Sequence, residues 1–184
     1  MILGSATLAA PSAAAARVLA QIGAEHRGLL QVIGDMQALI AAWRAPRARP
    51  QAELFDAMQR CLESLSGRLH HPLKGQVLFP AIARRSKQGR QLIASLAREH
   101  ASAARMITDT RAALARLDTA GPHALEGLAT AVEELAELAW WHVQREEQQL
   151  LPIAQAILPE AAWREIAAAF AACDSATEKR PVPA

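Results

Sequence analysis

The feature that most constrains this chain is a heptad-spaced apolar pattern that is interrupted by histidine in several long segments. In the segment that begins at Leu125, apolar residues recur at heptad spacing, and the next two positions of that series are His142 and Glu146. The first and third long segments carry His26 and His100 in similar stripes. Heptad spacing indicates long amphipathic helices whose apolar faces pack together.

Imidazole and carboxylate groups on such a face need a partner, because burying them without one costs free energy. A single histidine on an apolar face is most often a core residue that hydrogen-bonds a neighbour. A metal ion would explain several of them at once, because neutral imidazole and carboxylate are ligands that divalent iron, zinc or manganese accept. The pattern therefore favours a metal site over three unrelated buried histidines.

The composition favours helix and gives no sign of a nucleic-acid partner. Of the 184 residues, 52 % are hydrophobic but only 4 % are aromatic, and there is no tyrosine. This profile is typical of helices rather than sheets, and the length fits one domain with a sizeable core. The net charge is +2, and the short basic run at 84–90 is interpreted as a solvated loop and helix start.

The cysteines and the start of the chain bear on the cellular location of the protein. Cys61 and Cys173 lie in helical apolar patterns without C-x-x-C spacing, so we expect both to be small buried residues. The alanine-rich start lacks the features of a signal peptide, and no stretch is long and apolar enough for a membrane span. We expect a cytoplasmic protein without a membrane partner. The oligomeric state is left open, a homodimer being one compatible state.

Cap residues, glycines and prolines divide the chain into four long helices. These helices are predicted from near Ser12 to Trp43, from near Gln51 through an interruption at Pro72 to Pro80, from about Gly89 to Leu117, and from about His123 to Leu158 with a late kink at Pro152. A short fifth helix opens at Pro159-Glu160. Residues 1–12 are predicted to be a flexible N-terminus, 13–173 one domain, and 174–184 a disordered tail.

Four long amphipathic helices with short connections predict an all-α, antiparallel up-down-up-down four-helix bundle with a short C-terminal fifth helix. In such a bundle His26 and His100 lie at matching depths in the two up helices, and His70 and His142 lie late in the two down helices. All four histidines are therefore expected at a similar level, where facing helices can build a metal site.

The motifs that carry these residues resemble a known family. They are His70-His71-Pro72 followed by Leu78-Phe79-Pro80, then Glu99-His100, and finally Trp141-His142 and Glu146-Glu147 followed by Leu151-Pro152. In this combination the chain resembles the hemerythrin-like family, the HHE cation-binding domain, from about Ala14 to Ala172. The resemblance implies a non-haem di-iron centre in which His26 and His70 serve one metal, His100 and His142 serve the other, and Glu146 bridges the two.

One position departs from the family pattern. The family places a second carboxylate four residues after the helix-two histidine, and this chain has Lys74 there. An ammonium group cannot bridge two iron ions, and it would repel a second cation. Three arrangements are compatible with this substitution: one metal with Lys74 near Glu146 in place of the other, two weakly held metals with His71 as a substitute ligand, or a metal-free centre with a Lys74–Glu146 ion pair.

The resemblance implies a binding or sensing protein, because members of the family bind oxygen, sense oxygen, nitric oxide or redox state, handle iron or detoxify. The expected metal is iron, the candidate small ligands are oxygen and nitric oxide, and the expected metal-site residues are His26, His70, His71, His100, His142 and Glu146. The sequence has no catalytic triad, phosphate loop or cofactor fingerprint, so an ordinary hydrolase or dehydrogenase is not expected. The alternative is a metal-free helical-bundle interaction protein that has lost its di-iron site.

Overall fold

The computed structural model describes residues 10–45, 51–69, 74–117 and 122–178, and these residues form helices and turns but no β-strand. The all-α class is therefore confirmed. The elements are α1 (Ala13–Trp43), α2 (Ala52–Leu69), a first π-helical turn (Lys74–Leu78), α3 (Phe79–Ala83), α4 (Lys87–Leu114), α5 (Pro122–Arg145), a second π-helical turn (Glu146–Leu150), α6 (Leu151–Ile157) and α7 (Glu160–Glu178). His70, His71, Pro72, residues 1–9 of the predicted flexible N-terminus and residues 179–184 of the predicted tail lie outside the described residues.

Serine side chains cap two of the long helices. Ser12 Oγ accepts a hydrogen bond from the backbone N–H of Ala15 at 3.2 Å, so α1 begins where the sequence predicts. Ser86 Oγ accepts from the N–H of Gly89 at 2.9 Å. This cap starts α4 at Lys87, slightly earlier than predicted, because it satisfies an N–H that has no partner within the helix.

The four long helices contact one another in a ring. α1 contacts α2 and α5, and α4 also contacts α2 and α5. α7 packs on α1, while α3 contacts α4 and α6. α7 continues to Glu178, beyond the predicted end of the fifth helix. In the part of the chain that the structure describes, no helix has the length and apolarity needed to cross a membrane.

The interior has two apolar clusters with charged groups at their junction. The first cluster joins the start of α1 to α3, α6 and α7, and it includes Ile22, Ile82, Leu96, Leu150, Trp163, Ile166 and Phe170. The second joins the rest of α1 to α2, α4 and α5, and it includes Ile33, Met36, Phe55, Leu62, Leu128, Val132 and Leu135. His26, Lys74 and Glu146 are buried as well, although none of them belongs to either cluster.

A proline follows each of the two π-helical turns. Each turn is followed by a short helix with proline near its start, Pro80 in α3 and Pro152 in α6. Proline lacks the N–H that an α-helix needs, so the carbonyl four residues earlier loses its usual partner and the regular α-helical bonding is interrupted. The prediction of one helix to Leu158 with a kink at Pro152 is corrected accordingly: α5 ends at Arg145, and the wide turn lies before the proline.

The side chains of α2 differ in their burial. Phe55, Gln59 and Leu62 are buried, whereas Leu54 is 42 % exposed. Cys61 is exposed, so the prediction that it is buried is wrong. The side chain of Cys173 lies outside the described residues.

Candidate metal centre

The two π-helical turns begin at two oppositely charged residues that face each other. Lys74 opens the first turn and Glu146 opens the second. Lys74 Nζ donates to Glu146 Oε1 at 2.8 Å and to Oε2 at 3.0 Å. The two side chains are 1 % and 0 % exposed. Lys74 therefore points into the centre and pairs with the carboxylate that the family resemblance assigns as the bridging ligand.

The two turns share a local sequence pattern. The segment at 74–80 reads KGQVLFP and that at 146–152 reads EEQQLLP, with glutamine third, leucine fifth and proline seventh in both. Leu78 and Leu150, the fifth residues, are both fully buried in the first apolar cluster. This internal similarity is a sequence signal that places Lys74 and Glu146 in equivalent positions, and sequence reasoning did not use it.

Three predicted histidines surround the ion pair. His26 Nε2 lies 3.5 Å from Glu146 Oε2 and 3.5 Å from Lys74 Nζ. His142 Nε2 lies 3.5 Å from the same Oε2 atom. His100 Nε2 lies 2.9 Å from His142 Nε2, with ring planes inclined at 52°. The structure thus brings four of the six predicted site residues together, and it does not describe His70 and His71. The role of all six residues as metal ligands remains a prediction.

Two further glutamates orient the histidines, and sequence reasoning did not assign them to the site. Glu147 Oε1 lies 2.7 Å from His26 Nδ1, and Glu99 Oε2 lies 3.1 Å from His142 Nδ1. An ionised carboxylate only accepts hydrogen bonds, so each Nδ1 carries a hydrogen and each Nε2 faces the interior. The sequence did contain a signal for these two glutamates, because each directly adjoins a predicted site residue.

Glu99 is itself held from the outside. The Arg145 guanidinium donates to Glu99 Oε1, and it also donates to Ser95 Oγ at 3.1 Å. Ser95 and Glu99 lie on α4 and Arg145 ends α5, so these bonds join the two helices beside the histidines. Carboxylates that fix the second nitrogen of a histidine are characteristic of metal-binding histidines.

Glu146 is charged despite its burial. Burial acts to raise the pKa of this carboxyl, but the charge of the Lys74 ammonium beside it holds the pKa well below its usual range. The Lys74 ammonium balances this negative charge, and the neighbouring imidazole nitrogens add lone pairs rather than charge.

An apolar cavity adjoins this centre. Its volume is about 40 Å³, and its polar wall consists of His26, Glu99, His100 and His142. The remaining wall is aliphatic: Leu29, Ile33, Leu62, Ala103, Ile107, Leu135, Leu138 and Ala139. Because a single water needs roughly 10–15 Å³ measured in this way, the cavity has room for a diatomic molecule.

The residues present do not fit two metal ions, because Lys74 brings a positive charge and no lone pair to one half of the centre. Within the described ranges, no group of three or more His, Cys, Asp or Glu side chains already has an arrangement that could hold a metal ion. The donor types around the other half, two imidazoles and a carboxylate, do suit one cation. His100 and His142 contact each other at 2.9 Å, so they must separate to admit it.

Comparison with known proteins agrees with this chemistry. A search of curated proteins found no match. The family model described as Hemerythrin HHE cation binding domain matches residues 17–154, a range that includes every residue of the centre. This match covers most of the chain, and it ends within α6, before the start of α7. The chain therefore belongs to the hemerythrin HHE cation-binding domain family.

Proposed function

We propose that this protein is a cation-binding helical bundle that holds one metal ion, with the Lys74 ammonium in place of a second. The observation that carries the proposal is the contact of Lys74 Nζ with both oxygens of Glu146 inside the bundle. The ammonium balances the carboxylate charge as a metal ion would. It is covalently attached, and it repels a second cation in the same half of the centre.

The residues that would hold the metal are His100, His142 and Glu146. Two imidazoles and one carboxylate form the ligand set with which non-haem iron keeps coordination positions open. A carboxylate has about four lone pairs, so Glu146 can bind the ion while it accepts hydrogen bonds from Lys74. When bound, the metal would supply an open position for a small ligand, and Glu99 would keep His142 Nε2 directed at the metal.

The adjoining cavity supports an uncharged diatomic ligand such as oxygen or nitric oxide. Most of its wall is aliphatic, and its size admits only a small molecule.

The proposal also includes the antiparallel up-down-up-down bundle. The Arg44–Glu126 ion pair joins the end of α1 to the start of α5, and His26 near the middle of α1 contacts Glu146 just after the end of α5, which supports antiparallel packing of these helices.

Metal stoichiometry after anaerobic loading with ferrous iron tests the proposal. We expect about one ion per chain in the wild type and about two in Lys74→Glu, which supplies the missing carboxylate. Lys74→Met is the matched control, because it removes the charge without adding a ligand and should bind no more than one ion. His142→Ala should lose the ion. Two ions in the wild type would show that Lys74 does not block the second position.

The metal-free bundle is the second candidate. It is favoured by the observation that the Lys74–Glu146 pair and the His100–His142 contact satisfy these polar groups without an ion. In that case the wild type should bind no iron, and its free energy of unfolding should be the same with and without a chelator.

A further inference from the structure

We propose that Leu138 is the gate through which small uncharged molecules reach the cavity beside the histidines. The route runs from a surface groove between α4 and α5, past Leu138, into the cavity. The identity of the natural ligand rests on the proposed function, whereas the route itself rests only on the shape of the described residues.

The groove and the cavity share a wall. The groove is open to solvent, has a volume of about 330 Å³, and is lined by Met106, Glu134, Glu137, Leu138 and Trp141. Leu138 also lines the cavity, and it is the residue common to the two linings. Trp141, 55 % exposed, forms part of the outer wall. Leu138 therefore lies between the cavity and the groove.

The burial of the aliphatic residues that line the cavity also points to Leu138. Of the eight aliphatic residues that line the cavity, Leu29, Ile33, Leu62, Ile107, Leu135 and Ala139 are buried. Ala103 and Leu138 are only half-buried, so they are the aliphatic wall residues that reach the surface. Both lie on the seam, the line along which α4 packs against α5. The side chain of Ala103 is only a methyl group, so it covers little of this seam.

The bonding along the seam also favours opening at Leu138. One turn further along α5, the His142–Glu99 hydrogen bond joins the helices, and Arg145 adds its bonds to Glu99 and Ser95. Leu138 carries no polar side-chain atom, so a change of its rotamer breaks no side-chain hydrogen bond. Rotamer changes of partly exposed side chains are fast and need no movement of the backbone.

Xenon is a suitable probe, because it binds apolar cavities of this kind and needs no metal. The experiment measures occupancy and exchange rate of bound xenon by ¹²⁹Xe magnetic resonance, using the full chain in chelator. Leu138→Ala should raise the exchange rate by about tenfold. Leu135→Ala is the matched control, since Leu135 lies on the same helix and lines the same cavity but does not line the groove. It should raise occupancy through the larger cavity and leave the exchange rate within about twofold of the wild type.

Leu138→Trp tests the gate in the opposite direction and should slow exchange, with circular dichroism confirming that each variant is folded. Equal exchange rates in Leu138→Ala and Leu135→Ala would overturn the proposal. Exchange in Leu138→Trp that is as fast as in the wild type would also overturn it. Because the measurement is made without metal, its outcome is independent of iron stoichiometry. A failed gate and a failed one-metal centre are therefore distinguishable.

Discussion

A buried ammonium is stable only when its surroundings replace the water that it has lost. Lys74 gains two hydrogen bonds to Glu146 and lies within 3.5 Å of His26 Nε2, so each of its three N–H groups has an acceptor nearby. Glu146 depends on Lys74 in the same way, because its charge is also fully buried. Removing one partner leaves an uncompensated charge in the interior, whereas removing both leaves an apolar pocket.

The first prediction follows from this mutual dependence. In chelator, Lys74→Met should lower the free energy of unfolding by about 3–5 kcal/mol, because Glu146 then remains buried without its counter-charge. The double variant Lys74→Met with Glu146→Leu should recover most of that loss. Urea denaturation of the two variants and the wild type measures both effects. A single variant as stable as the wild type would contradict the buried pair.

The second prediction concerns acid stability. The pKa of Glu146 is lowered in the folded state, so the stability it contributes is fully present above the pKa of an unfolded glutamate, about 4.3, and is lost as the pH falls towards the folded value. The wild type should therefore lose free energy of unfolding more steeply below about pH 4.3 than the Lys74→Met, Glu146→Leu double variant. Denaturation curves measured in chelator between neutral and acidic pH test this; parallel curves for the two proteins would exclude the contribution.

At the scale of elements, the helices were predictable and the π-helical turns were not. Ser12 as a cap and the heptad pattern place α1 correctly, because local propensity and burial agree there. The prolines at 80 and 152 indicate interruptions. A proline alone does not determine whether the chain kinks or widens, because that choice depends on packing with other elements. In this fold the two widened turns place Lys74 and Glu146 opposite each other.

The residues of the site also divide into those that the sequence could assign and those that it could not. His26, His100, His142 and Glu146 could be assigned from motifs and helix registers, and the structure brings them together. The direction of the Lys74 side chain could not be assigned, since it depends on the distance between two turns that are far apart in sequence. The same holds for the buried Gln59, which donates to the Ile107 carbonyl at 2.8 Å across two helices.

Two glycines give the third prediction. A Cβ on Gly89, in the first turn of α4, would lie 2.5 Å from Cγ2 of the fully buried Ile82. Gly89→Ala should therefore destabilise the protein by about 1–3 kcal/mol through overpacking. Gly34, in the interior of α1, has no atom within 4 Å of such a Cβ. Gly34→Ala should stabilise by about 0.5–1 kcal/mol, because alanine is the better helix former. Thermal unfolding of the two variants should give shifts of opposite sign; stabilisation by Gly89→Ala would refute the packing around Gly89.

For the molecule as a whole, the charged centre lies where two apolar clusters meet, with residues from α1, α4, both π-helical turns and α5. A ligand that bridges α4, α5 and the second turn binds the folded chain and not the unfolded one. Its binding free energy is therefore added to the stability of the entire bundle rather than to one helix.

The fourth prediction applies this linkage. Ferrous iron at about 100 times its dissociation constant should raise the free energy of unfolding of the wild type by about 2.7 kcal/mol. His142→Ala should show no such increase, whereas His123→Ala, which changes an exposed residue at the start of α5, should respond like the wild type. Anaerobic thermal denaturation with and without iron provides the measurement. An equal response of all three proteins would locate the iron elsewhere.

The covalent attachment of Lys74 has a consequence for metal supply. A cation that is part of the polypeptide is present in every copy from synthesis onward, and neither metal starvation nor a chelator can remove it. It also cannot be exchanged for a more tightly binding competitor such as copper or zinc. In the proposed one-metal arrangement, the half of the centre that contains Lys74 is therefore exempt from mismetallation, and selection among metals is confined to the half formed by His100 and His142.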